Sequence, residues 1–175
     1  MKKLKTMNSF EIIYDFSSGD GIKKIWILFM PIGIFLFLKF ILFLIENDEE
    51  ENLFKDPEHQ KVKIKIFQYV SIFFFLLFSV LFGYEYYKTN DLYNNAKLQT
   101  EGFVTKFHPM PSGGHDSERF IVNGVEFEYS DFDISGFGYN NAKSHGGAID
   151  ENKYVRIDYI KEKKGNQILK LEVRK

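Results

Sequence analysis

The sequence predicts an α+β membrane protein, a two-helix transmembrane hairpin followed by a small C-terminal antiparallel β domain. Three observations lead there. Residues 67–84 run without a formal charge, and about 18 residues of helix suffice to cross a bilayer core. Residues 25–45 form a similar run, interrupted only by Lys39. From Gly102 onward, aromatic and β-branched residues alternate with polar ones around turn residues such as Asn123-Gly124, the pattern of half-buried strands.

These runs divide the chain into an N-terminal arm (1–24), a helical hairpin (25–87), a linker (88–100) and a β domain (101–175). Within the hairpin, spans at 25–45 and 66–87 flank an acidic connection at 46–61. The 175 residues leave a β domain near the lower size limit for independent folding. With no Cys, the chain has no disulfide framework, thiolate metal site or cysteine nucleophile. A net charge of -1 argues against bulk electrostatic capture of nucleic acid. The mean hydropathy of -0.23 conceals two very apolar segments within a polar remainder. The 20 Phe residues concentrate in the spans as lipid-facing bulk, and the Lys, Asn, Ile and Phe bias suits an AT-rich bacterial genome.

The arm carries no cleavable signal pattern. Phe10 to Phe16 reads as a short segment lying at the headgroups, closed by Ser17-Ser18-Gly19-Asp20-Gly21. In the first span, Trp26 suits the interface, Pro31 favours a kink, and Lys39 is the costly residue. Lys39 either snorkels towards the near interface or serves as an intramembrane cation, with Glu85 as a candidate counter-charge. The acids of the connection lack the ligand spacing and glycine of a calcium loop and read as a solvated turn.

Lys61, Lys63 and Lys65 precede the second span, and Tyr84, Tyr86 and Tyr87 follow it as an aromatic belt. Ser71, Ser79 and Gly83 share one stripe of small residues, which suits either packing against the first span or homodimerisation. Lysines near the spans favour the two tails over the connection, so the positive-inside rule puts both termini in the cytoplasm of a bacterial inner membrane. Residues 88–100 read as a polar linker or a helical extension of the second span.

The β domain reads as about five strands in an OB-like or SH3-like barrel or rolled sheet. Gly102–His108 is the first strand. Glu118–Val122 and Val125–Ser130 form a hairpin through Asn123-Gly124, whose two residues tolerate the positive φ of a type I′ turn. Tyr154–Ile160 and Ile168–Val173 form a second pair.

Residues 131–151 make the longest irregular stretch, and long loops are often functional or mobile. Ser112-Gly113-Gly114-His115 and Ser144-His145-Gly146-Gly147 echo each other. With His108 and Asp116 they raise a metal site of His108, His115, Asp116 and His145, since imidazole and carboxylate ligate zinc-like ions. The alternative is that the glycines supply positive φ and the histidines hydrogen-bond their loops. No serine lies in a Gly-x-Ser-x-Gly elbow, and acids interleave with the C-terminal lysines, so neither a hydrolase nor a nucleic-acid binder is expected.

Glu101-Gly102-Phe103-Val104, the hairpin Val122 to Ser130, the loop Gly136-Phe137 through Ser144-His145-Gly146-Gly147, and Val155-Arg156-Ile157-Asp158-Tyr159 carry a resemblance. In these pieces the last 75 or so residues resemble a broad group of uncharacterised bacterial membrane proteins, which join one or two spans to a small β domain opening Glu-Gly-x-Val. The resemblance implies a fold, no catalytic residues and no cofactor. The expected function is that of a membrane-anchored, non-enzymatic interaction or accessory protein, with the lipid bilayer and a protein or second copy as partners. Alternatives are a metal- or small-ligand-binding module using the Gly/His loops, an immunity-type membrane protein blocking a toxin, and an enzyme whose site is not legible.

Overall fold

The computed structural model of the protein describes residues 9–22, 29–47, 57–132, 136–163 and 165–175. Trp26 and most of the acidic connection lie outside them. The fold is α+β, with two long apolar helices and a six-stranded antiparallel sheet. It falls into two compact units. One comprises described residues of Met1–Lys24 and Tyr86–Lys175, the other those of Ile25–Glu85.

In the helical unit, α1 (Phe29–Glu46) carries Pro31 near the start of its described residues. Asn47 closes α1, its backbone and side-chain nitrogens both donating to the Phe43 carbonyl (3.1 and 2.8 Å). Helix α2 (Pro57–Ala96) is 40 residues long, about 60 Å at 1.5 Å per residue. It runs past residue 87, so residues 88–96 of the segment expected as linker or extension continue the helix, while 98–100 already belong to a strand. The Ser71 hydroxyl donates to the Pro31 carbonyl (2.6 Å), which ties α2 to α1. Pro31, Leu42 and Ile45 are buried on α1 at a spacing near 3.5 residues, while Phe29, Phe37 and Phe40 are more than half exposed.

The sheet runs β1-β6-β5-β2-β3-β4, from β1 (Phe10–Asp15), β2 (Leu98–His108), β3 (Glu118–Val122), β4 (Val125–Tyr129), β5 (Tyr154–Glu162) and β6 (Gly165–Arg174). Four strands match the expected segments closely, while β2 starts four residues earlier and a sixth strand comes from the arm. Phe10 to Asp15, expected at the headgroups, pairs with β6 from Phe10↔Arg174 to Asp15↔Lys170. The extra residue at Ile13 shifts the register, and after it Tyr14 packs on the core, edge to face with Tyr139. Asp15 then caps a 3-10 turn (Phe16–Ser18) by accepting from the Ser17 N–H, and Gly19 ends it at φ 95°.

Long strand β2 serves two neighbours. Leu98–Phe103 pairs with β5, and from Val104 the strand pairs with β3. This hand-over, with the bulges, rolls the sheet around a core that includes Val104, Phe120, Val122, Phe127, Ile157 and Leu171. Among the described residues β1 and β4 remain the two edges, so the rolled sheet does not close into a barrel. Asn123 and Gly124 adopt φ 48° and 80°, as a type I′ turn requires.

The C-terminal part of α2 belongs to the sheet's unit. Phe16, nearly fully buried, meets Tyr86, Tyr93 and Phe137 with ring centroids 5.6–6.1 Å apart. Lys88 pairs with Glu162 (2.9 Å) and Lys97 with Asp158 (3.8 Å), fastening the helix to β5. Ile160 and Leu169 are fully buried yet stand outside the main core cluster.

Candidate functional site

The long stretch after β4 is packed. Phe137, Tyr139, Ala142 and Ile149 are all buried, so the stretch supplies core residues that a mobile loop would not. The Tyr139 N–H donates to the Ile168 carbonyl (2.8 Å), adding a backbone bond to β6. A turn at Lys143–His145 ends on Gly146 at φ 92°. At Gly147 a Cβ would lie 2.0 Å from the Asn141 carbonyl oxygen, so only glycine fits this close approach.

Beneath this loop lies the most buried polar group of the sheet. Glu118 has no exposed surface. The Tyr129 hydroxyl donates to one of its oxygens (2.5 Å) and the Lys143 N–H to the other (2.8 Å). The Ala148 N–H donates to the Tyr139 hydroxyl (2.9 Å). Burial pushes the Tyr139 phenol up to about 12. It pushes Tyr129 higher still, helped by Tyr139 and by the Glu118 carboxylate. Both phenols therefore stay neutral donors at physiological pH. A carboxylate with each oxygen capped from inside the fold acts as an anchor for the loop rather than as an acid or base facing solvent.

The residues expected to ligate a metal fall into separate pairs. His108 Nε2 lies 2.7 Å from Asp116 Oδ2, and Arg119 donates to Asp116 Oδ1 (3.1 Å). His108, then the Ser117 N–H, holds the Asp116 carboxyl below its usual range. His145 Nδ1 instead meets Asp131 Oδ2 at 2.5 Å. His115 is exposed and takes a positive φ of 70°. Among the described residues no three His, Asp or Glu side chains come together as ligands. The structure joins His108 to Asp116 and leaves His115 and His145 outside that pair. No local pattern marks Glu118 as an internal carboxylate. Only its place opposite Tyr129 across the Asn123-Gly124 turn was legible.

Of the span residues, Ser71 is buried and bonded to α1, as expected for packing within the chain. Ser79 donates to the Phe75 carbonyl of its own helix (2.7 Å). Gly83 is exposed, with open space around it. The small-residue stripe is thus divided, and among the described residues only its first member hydrogen-bonds to the neighbouring helix (2.6 Å). Lys39 is exposed on α1 and makes no ion pair among the described residues.

Across β2, β5 and β6, Glu101, Arg156, Glu172 and Lys170 form a charged ladder with contacts of 2.6–3.3 Å. Arg174 lies 3.4 Å over the Tyr154 ring and Arg156 4.1 Å over Phe10. Its acids and bases pair with one another within the sheet. Compared with known proteins, the chain matches no family model, no curated protein and no solved structure.

Proposed function

We propose that the protein is a two-pass membrane protein whose helical hairpin crosses the bilayer and whose six-stranded sheet is a non-enzymatic accessory or interaction module. The observation that carries this reading is the bareness of the two helices. Each has an 18-residue window of mean hydropathy 2.2, with 17% of that window buried in α1 and 6% in α2. A core helix of a soluble protein hides its apolar side chains. Here Phe37, Phe67, Phe73 and Val80 are each more than 60% exposed, and hydrocarbon is the solvent that accepts such a surface.

The pairing of β1 with β6 supports a hairpin with an even number of spans. Strand β1 precedes α1 and β6 follows α2, so in this reading the two flanks of the hairpin lie on one side of the bilayer and the end of α1 and start of α2 on the other. The non-enzymatic part rests on Glu118, Tyr129 and Tyr139, whose polar groups are used up in holding the loop.

The natural lack of cysteine makes the test direct. Single replacements Ser18→Cys, Glu58→Cys and Lys161→Cys, each at an exposed position, are labelled with a membrane-impermeant maleimide in intact cells. Ser18→Cys and Lys161→Cys should share one accessibility and Glu58→Cys the opposite one. Equal labelling of all three would overturn the hairpin.

A further inference from the structure

Strand β2 carries an extra residue where its pairing with β3 steps from Thr105↔Ile121 to His108↔Arg119. Lys106 sits in this bulge at φ 53°, a conformation that side-chain-bearing residues seldom adopt. The bulge resets the alternation. Val104 before it and Phe107 after it both pack on the core, and Lys106 and His108 are exposed. An unbroken strand would instead alternate Lys106 with Thr105 onto the side of buried Val104.

The result is an open groove lined by Lys106, His108, Arg119, Phe120, Ile121 and Glu126. Its ionised lining groups are Lys106 on β2, Arg119 on β3 and Glu126 on β4, with the His108 imidazole also on β2, the Asp116 carboxylate against Arg119, and Glu128 next along β4. The outer columns stand about 10 Å apart, two strand spacings. Asp116 holds both His108 and Arg119, which keeps Arg119 from closing on Glu128, its cross-strand partner. Lys106, Glu126 and Glu128 have no side-chain hydrogen bond or ion pair among the described residues.

We infer that this groove binds a small zwitterion, with a phosphate or carboxylate against Lys106 and Arg119 and an ammonium group against Glu126. The bulge is what delivers Lys106 to the site. The separation of charge across three strands selects a ligand with two unlike ends over a simple anion, which Glu126 would repel. The ligand chemistry is that of an ethanolamine phosphate, whether free or as a lipid headgroup.

The test uses the full chain in phosphatidylcholine nanodiscs, titrated calorimetrically with phosphoethanolamine and with inorganic phosphate. Phosphoethanolamine should bind about tenfold or more tightly than phosphate. Lys106→Met should weaken both, while Glu126→Gln should abolish the preference and retain phosphate binding. Both replacements lie at exposed positions, and unchanged circular dichroism checks the fold. No saturable heat, equal affinity for the two probes, or an intact preference in Glu126→Gln would overturn the assignment. In discs containing phosphatidylethanolamine, a weakened response to the soluble probe would identify the headgroup as the source. An unchanged response would identify a free molecule, and either result upholds the chemistry.

Discussion

Glu118 shows how one side chain can organise a loop. Its two oxygens take one donor each, from Tyr129 and from the Lys143 N–H, and removing the carboxylate would leave both donors buried without acceptors. Each such orphan costs about 1–3 kcal/mol, so Glu118→Ala should lower stability by roughly 2–5 kcal/mol. Chemical denaturation followed by near-UV circular dichroism measures this, and a loss below about 1 kcal/mol would show that the carboxylate is not the anchor. The phenols give a second residue-scale prediction. Burial raises Tyr139 from the ordinary 10.0 to about 12, and Tyr14 and Tyr129 are raised as well. A group whose folded value is raised stabilises fully below its unfolded value and loses that contribution as pH rises through the folded value. Between pH 10 and about 12 the folded sheet should therefore hold these three phenols neutral. Ultraviolet absorbance of phenolate should show a late phase that disappears in denaturant. A single step near the ordinary value, the same in folded and denatured protein, would contradict their burial.

At the scale of elements, the docking of Phe16 is the contact that the sequence concealed. A ring buried among Tyr86, Tyr93 and Phe137 joins the turn after β1 to the end of α2. Phe16→Ala should cost about 3–5 kcal/mol, read as a lowered midpoint of thermal unfolding in detergent. Exposed Ile12→Ala should cost far less, and equal losses would mean that the ring is not a core residue. The turn signal Asp15-Phe16-Ser17-Ser18-Gly19 was legible, because a capping side chain and a following glycine are local. Strand β1 was not, for two physical reasons. Its partner β6 lies at the far end of the chain, and the bulge at Ile13 breaks the alternation that marks a strand. Asn123-Gly124 and the alternation of Val155, Ile157 and Tyr159 are local signals, and β3, β4 and β5 were read from them. In the sequence, His108 and Asp116 stand out together, but as ligands with His115 and His145 rather than as a pair, and Asp131 does not stand out at all. Asp116 lies eight residues from His108, and Asp131 fourteen from His145, so loop folding rather than ligand spacing brings them together.

For the whole molecule, composition exposed what periodicity could not. The long apolar runs, one broken only by Lys39, showed both helices, and only the extent of α2 into the sheet's unit escaped, because its polar last turns read equally well as linker. If hydrocarbon solvates the bare helices, the protein should remain in the pellet when cell membranes are washed with alkaline carbonate and pass into solution only with detergent. Release by carbonate alone would remove the basis for the bilayer reading. The same extraction on a fragment beginning at Leu98 would not be equivalent, since that fragment lacks β1, Phe16 and the end of α2 that complete the sheet's unit.

The union of β1 with β6 also sets a timetable. A ribosome makes β1 before β6 and must add roughly 150 residues between them, about 8–30 s at common rates of synthesis. Through that interval the earliest strand has no mate, and both apolar helices must find their solvent before it gains one. Maturation therefore closes a long loop, when a strand made late captures one made about 150 residues earlier.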